Sequence, residues 1–253
     1  MRGVRWLLIP MLLALAACTR NPPAPYRVAG ALPPGAGGAV TGPDAGRTLY
    51  QRDCAWCHGA GGGGTDRAPS LLRVGAASVD FYLSTGRMPL QSPDATAQRA
   101  RPAYTSGEIA AITGYVASFG SGPPIPTLAS SSDLARGAEL YEQNCAACHS
   151  STGVGGALTS GVVAPSLLEA TRTQLAEATR IGPGTMPVFD QGAIRDEDVT
   201  AIANYVAELQ APQQQGGLSL GRIGPIAEGA VGWFVGLGAL LVFCRLIGKR
   251  ASE

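Results

Sequence analysis

Two pentapeptides carry the reactive side chains of this chain: Cys54-Ala55-Trp56-Cys57-His58 and Cys145-Ala146-Ala147-Cys148-His149. Two thiols at this spacing can form a disulfide, cycle as a redox dithiol or supply half a zinc site. With a histidine directly after them, the pattern is the attachment sequence of c-type haem. The thiols bond covalently to the porphyrin edge and the histidine is placed under the iron. The chain has only two histidines, both in these motifs, and four of its six cysteines lie there too. No spare His or Cys stands nearby to complete a zinc site. The expectation is two covalently bound haem c groups, held through Cys54, Cys57, Cys145 and Cys148.

A haem iron in an electron carrier needs two axial ligands. His58 and His149 supply one each, and no third histidine exists within the chain. Methionine is the other usual partner and raises the reduction potential. Of the four methionines, Met1 and Met11 fall in a leader segment, which leaves Met88 and Met186. They sit in matching contexts, Gly86-Arg87-Met88-Pro89 and Gly184-Thr185-Met186-Pro187, and the proline stiffens each loop. A lone methionine is usually core filler. Two methionines in two similar loops downstream of two haem motifs are expected as axial ligands. Met/His ligation fills both axial positions, which argues against gas binding or peroxide chemistry.

The motifs belong to a longer internal repeat. Gly46-x-x-Leu49-Tyr50-x-x-x-Cys54 matches Gly137-x-x-Leu140-Tyr141-x-x-x-Cys145. Ala68-Pro69-Ser70-Leu71-Leu72 matches Ala164-Pro165-Ser166-Leu167-Leu168, and Ile112-x-x-Tyr115-Val116-Ala117 matches Ile202-x-x-Tyr205-Val206-Ala207. The offset between copies drifts, so insertions fall in the loops between matched blocks. Two copies end to end indicate duplication of one domain. Each copy reads as mainly helical. One helix runs into the haem motif, and a second, over 107–119 or 196–209, has apolar positions three and four apart. The middle of each copy is rich in Gly, Pro and Ser and reads as loop.

On these residues each repeat resembles a class I cytochrome c domain. The resemblance implies that the first and last helices cross, Gly46 and Tyr50 meeting Ile112 and Tyr115, and Gly137 and Tyr141 meeting Ile202 and Tyr205. It also implies a proline whose carbonyl hydrogen-bonds the histidine under the iron, a role that falls to Pro69 and Pro165. Such a bond fixes ring orientation and tunes the metal. Pro165 stands farther from its histidine than Pro69 does. Each domain has roughly 75 residues, too few for a comfortable core unless haem completes it.

The fold class expected is therefore mainly α: two tandem class I cytochrome c domains plus one C-terminal transmembrane helix. Residues 1–17 read as a signal peptide, with Arg2 and Arg5 before an apolar run too short to span a bilayer. Leu15-Ala16-Ala17-Cys18 resembles a bacterial lipobox, which makes Cys18 a lipidation candidate; ordinary signal cleavage is the alternative. Residues 18–45 read as a flexible tether, 46–120 as domain 1, 121–132 as a linker, 133–210 as domain 2 and 211–225 as a polar hinge. Residues 226–248 are the transmembrane helix and 249–253 the tail. Trp233 lies near one end of the apolar stretch, and Arg245, Lys249 and Arg250 lie at the other. A signal in front and basic residues behind place the haem domains outside the cell membrane and the C-terminus in the cytoplasm.

Domain 1 has seven Arg against five acidic residues and domain 2 four Arg against ten, so the net charges are +2 and −6. Complementary charge steers encounter, so the domains are expected to face different partners. Lys249 is the only lysine and no basic stripe exists, which excludes nucleic acid as a partner.

Two class I domains followed by one helix resemble the dihaem cytochrome c subunit of the actinobacterial cytochrome bc (quinol–cytochrome c reductase) complex. Ser84-Thr85-Gly86-Arg87-Met88-Pro89, Gly155-Gly156-Ala157-Leu158 and Gly224-Pro225-Ile226-Ala227-Glu228-Gly229 carry that resemblance. It implies an electron-transfer subunit beside a cytochrome b subunit. One haem would take electrons from a Rieske iron–sulfur protein and the other pass them to an aa3-type cytochrome oxidase. The lipobox departs from that pattern. Two alternatives are the cytochrome subunit of a periplasmic dehydrogenase, which often has three haems, and a dihaem peroxidase, which needs a displaceable axial ligand.

Overall fold

The computed structural model describes residues 40–130, 133–211 and 225–250. The expected signal peptide, Cys18, most of the tether and most of the hinge lie outside the described residues, as do residues 251–253.

Each haem motif stands at the end of a helix. Helix α1 (Ala45–Asp53) runs into the one-turn α2 (Ala55–His58), and α5 (Leu134–Asn144) runs into α6 (Ala146–His149). Leu49 and Tyr50 on α1, and Tyr141 on α5, are fully buried. Helix α4 (Ser106–Ala117) starts with a capping box between Thr105 and Glu108, which satisfies two otherwise orphaned donors. Helix α8 (Asp196–Gln210) has no side-chain cap; Asp196, Glu197 and Asp198 in its first turn favour its positive end instead.

The first and last helix of each domain cross at a glycine. A Cβ on Gly46 would lie 2.1 Å from the Ala111 carbonyl oxygen, and one on Gly137 would lie 2.3 Å from that of Ala201. No other residue type permits so close an approach. Next to each crossing the two tyrosine rings tilt against one another, with centroids 5.4 Å apart for Tyr50–Tyr115 and 5.5 Å for Tyr141–Tyr205. Domain 1 adds Phe119 to this cluster, edge-on to Tyr50. Two separate apolar cores result. Leu49, Tyr50, Leu83, Ile109, Ile112 and Val116 form one, and Leu140, Tyr141, Ala176, Ile194, Ile202 and Val206 form the other.

The middle of each domain departs from the expected loop. Helix α3 (Gly75–Ser84) and helix α7 (Arg172–Ile181) each occupy ten residues there. Between the second haem motif and α7, a small antiparallel hairpin pairs β1 (Gly156–Ala157) with β2 (Val163–Ala164). Helix α3 packs on α4 and α7 packs on α8, and α3 and α7 pack on each other. The helices thus form a row, α1–α4–α3–α7–α8–α5, that reads the same from either end. The centre of this row is the seam between the domains.

Hydrogen bonds close the seam. Gln174 Nε2 on α7 donates to the Ser84 carbonyl at 3.3 Å and to its Oγ at 3.2 Å. Arg99, in the loop after Met88, donates to the Glu169 carbonyl at 2.8 Å. The linker crosses the start of α3, where the Ala77 N–H donates to the Pro123 carbonyl.

Helix α9 (Pro225–Arg250) stands apart. Residues Gly229–Gly248 have a mean hydropathy of 2.1, and none of that window is buried against the rest of the chain. This length and composition suit one membrane-spanning helix.

Candidate haem sites

The two motifs fold alike. The amides of Cys57 and His58 both bond back to the Cys54 carbonyl, and those of Cys148 and His149 bond back to that of Cys145. A single helical turn therefore presents both thiols and the imidazole together. None of the four cysteines forms a disulfide. Burial pushes the Cys54 thiol up to about 12 and the Cys145 thiol up to about 11. A redox dithiol needs the opposite shift.

Each imidazole is oriented by a carbonyl. His58 Nδ1 lies 2.8 Å from the Pro69 oxygen, and His149 Nδ1 lies 2.9 Å from that of Pro165. A carbonyl can only accept, so Nδ1 carries the proton and Nε2 offers its lone pair outward. That is the tautomer and orientation an iron ligand needs. The wider spacing in domain 2 has a visible cause: the β1–β2 hairpin fills the extra residues and returns the chain to Pro165.

Two glycines hold the proline loops in place: Gly155, which opens the Gly155-Gly156-Ala157-Leu158 run, and Gly64, which no motif marks. The Gly64 N–H donates to the His58 carbonyl at 2.8 Å, and the Gly155 N–H donates to that of His149 at 2.9 Å. Both have positive φ, +84° and +80°. A Cβ there would lie 2.7 Å from Ser70 N and 2.4 Å from the Ala164 oxygen, so the proline segment passes directly over each glycine. Their equal offset from the two histidines was the signal. Around them, Tyr50 and Tyr141 donate to the carbonyls of Gly59 and Ser150, the residues after each histidine.

The methionine loops are anchored differently. The Met88 N–H donates to the Tyr82 carbonyl at 3.0 Å, and Met88 packs against the domain 1 core together with Cys54. The returning loop clips on where Ala100 N–H donates to the Thr85 carbonyl. Met186 N–H donates to the Pro183 carbonyl. Its loop is tied to α7 by Arg180, whose Nη1 donates to the carbonyls of Phe189 and Ile194 and whose Nη2 pairs with Asp196.

The residues present fit a haem on a further count. Arg87 lies over the Phe81 ring at 4.9 Å, with its Nη1 buried and unpartnered. Arg172 likewise has a buried, unpartnered Nε. An open donor on a half-buried guanidinium suits an anion, and a haem would bring two propionates.

Two mainly helical domains with this motif geometry define a c-type cytochrome, and cytochrome c domains carry covalently bound haem c. Residues 43–119 match the family model described as cytochrome c, and residues 132–206 match that described as cytochrome C oxidase, cbb3-type, subunit III. A cytochrome bc1 complex cytochrome c subunit of Mycobacterium tuberculosis is 40% identical over 216 residues, covering 81% of this chain and 77% of that protein. The subunit so named from Corynebacterium diphtheriae is 36% identical over 225 residues, covering 81% and 80%. A cbb3-type cytochrome c oxidase subunit CcoP of Azospirillum is 31% identical over 187 residues, covering 65% and 61%. The chain belongs to the family of cytochrome c subunits of the bc1 complex.

Proposed function

We propose that this chain carries two haem c groups, one per domain, and conducts electrons through them as a fixed wire in a cytochrome bc complex. Cys54 and Cys57 hold the first haem, with His58 and Met88 as axial ligands. Cys145 and Cys148 hold the second, with His149 and Met186. Pro69 and Pro165 orient the imidazoles. The observation that carries this reading is the repetition of one histidine–proline frame in two domains joined along α3 and α7. Those seam helices end four residues before Met88 and five before Met186, so both methionine loops emerge beside the seam. Bound haem supplies the one-electron chemistry. The protein supplies ligands, spacing and docking surfaces.

The electron source in this reading is a Rieske iron–sulfur protein next to a cytochrome b subunit, and the acceptor is an aa3-type oxidase. The relatives named as bc1 subunits favour the first half. The charge difference between the domains favours two distinct docking partners. Helix α9 anchors the chain in the cell membrane, and the basic residues after it favour a cytoplasmic C-terminus with the haem domains outside. The likeness of domain 2 to a cbb3-type oxidase subunit supports a second reading, in which the acceptor is an oxidase of that type.

Purification in mild detergent through a tag after Glu253, with mass spectrometry of what accompanies the chain, tests the assignment. Co-isolation of cytochrome b, Rieske protein and aa3 subunits is the expected result. A dehydrogenase in their place would overturn it, and cbb3 subunits would select the second reading.

A further inference from the structure

Glu177 lies in the middle of α7, on the seam, and is fully buried. Among the described residues, no N–H or other donor reaches either of its carboxyl oxygens. The group facing it across the seam is another carboxyl, that of Asp80 on α3, within hydrogen-bonding reach. Burial first, and the facing Asp80 second, push the Glu177 carboxyl up to about 9. Two carboxylates cannot attract each other, and a buried unpaired charge is too costly to persist. Two carboxyls in contact with no donor between them are held by a proton or a cation.

A divalent cation seeks six or more oxygen ligands. Among the described residues, no group of three or more His, Cys, Asp or Glu is placed to bind one. Among the described residues, no basic group pairs with Glu177 either. On α7, Arg172 donates to the Ala129 carbonyl and Arg180 is committed to Phe189, Ile194 and Asp196. From the loop after Met88, Arg99 is bonded to Glu169 and Gln174; Arg87, just before Met88, lies over Phe81, and its open Nη1 does not bond either Glu177 oxygen. On α8, Asp198 holds Arg136 and Arg195, Glu197 pairs with Arg195, Tyr205 stacks on Tyr141, and Glu208 sits in the last turn. On α4, Glu108 caps Thr105 and Tyr115 stacks on Tyr50. Tyr82 is the remaining ionisable group of α3.

We propose that Asp80 and Glu177 share one proton across the seam, and that this proton is coupled to the electrons passing between the two domains. When a haem gains an electron from the upstream one-electron donor, ferric iron becomes ferrous and the local net charge falls by one. The pair's affinity for a proton then rises, and it draws a fraction of a proton from water. When the electron leaves, that fraction is released. No bond other than the carboxyl O–H forms or breaks. Glu177 is thus a positioning residue: as the shared acid it docks α7 on α3, and it tunes the potentials without touching either iron. The coupling rests on the two-haem reading above; the shared proton does not.

Redox titration of the full-length holoprotein in detergent, followed in the visible spectrum as a function of pH, tests the coupling. In the wild type, the midpoint of one or both haems falls as pH rises through the range around 9. In Glu177→Gln, which keeps the shape and the ability to hydrogen-bond, that slope is lost while the spectrum and haem content stay unchanged. In Asp80→Asn, the amide donates to Glu177 and the repulsion is gone, so the slope moves to lower pH. The infrared difference spectrum between high and low pH contains a protonated-carboxyl band that shifts in deuterium oxide and disappears in Glu177→Gln. A flat wild-type profile, a slope that survives in Glu177→Gln, or a carboxyl pair that responds to chelator would overturn the proposal. Haem count on the same samples separates the two claims. Fewer than two haems would sink the two-haem reading while the infrared band still reports the shared proton.

Discussion

The two domains share a frame and differ in what surrounds it. In both, a glycine lets the first helix meet the last, a tyrosine bonds the carbonyl after the histidine, and a proline carbonyl holds the imidazole. Outside that frame little is kept. Domain 2 inserts a hairpin before its proline and is strongly acidic. Its histidine is buried, whereas His58 is only half-buried. Domain 1 is slightly basic and has a long loop, bearing Arg99, that reaches across to its neighbour. It also exposes Trp56, 64% accessible, with Arg67 stacked on its ring. The frame around the proposed haem ligands is repeated, and the surface around that frame differs. This is the pattern expected of a duplicated electron carrier with one partner at each end.

Replacing the methionines one at a time probes that equivalence hardest. Met88→Ala and Met186→Ala should each lower the potential of one haem by on the order of 0.1 V, part of the range of about 0.8 V that axial ligands span. Electron transfer through the chain should be lost in both, and separate redox titrations would show which haem moved. An unchanged pair of potentials in either variant would break the symmetry. The crossing glycines come next. Gly46→Ala and Gly137→Ala force a Cβ into a backbone carbonyl, so each should destabilise its own domain by about 1–3 kcal/mol in thermal or denaturant unfolding. A variant that costs nothing would show that its helices do not cross as described.

The seam should show itself in pH dependence. The folded chain raises the Glu177 carboxyl from its ordinary 4.5 to about 9. A group with a raised folded-state value contributes stability that is complete below the unfolded value and is lost as pH climbs through the folded one. Its contribution to stability should therefore fall between pH 4.5 and about 9, by at most about 1.4 kcal/mol per pH unit, and the unfolding midpoint should drop with it. Glu177→Gln should flatten that fall. The smallest effect is in the caps. Thr105→Ala and Thr171→Ala should each cost about 1 kcal/mol. Thr171→Ala should also loosen the seam, because Gln174 completes that capping box and donates to Ser84 as well.

The repeated Cys-x-x-Cys-His turns, the prolines that meet the imidazoles and the outer helices were legible in the sequence because each has a local signature. The seam helices were not. Helix α3 is buried on two sides, against α4 and α7, so no polar stripe marks it, and its first residue is a glycine at positive φ, Gly75. Helix α7 carries a signal, Thr171 and Gln174 at capping-box spacing, but Pro165 before it and Gly182-Pro183 after it obscured it. Glu177 reads as an ordinary surface acid in any periodicity. Only the packing of two distant segments buries it, and no local pattern records that. Gly64 was hidden in a run of glycines, and Gly155 stood in a named motif without a role; their common distance from the histidines is what pairs them.

The central claim is that each domain carries one haem under the same pair of ligands. The most direct measurement is the intact mass of the purified full-length protein together with its near-infrared absorption in the oxidised state. The account predicts a mass increased by two haems and a methionine-to-iron charge-transfer band that is reduced, not abolished, by Met88→Ala or by Met186→Ala alone. A mass with a single haem, or one high-spin iron without a methionine band, would contradict it.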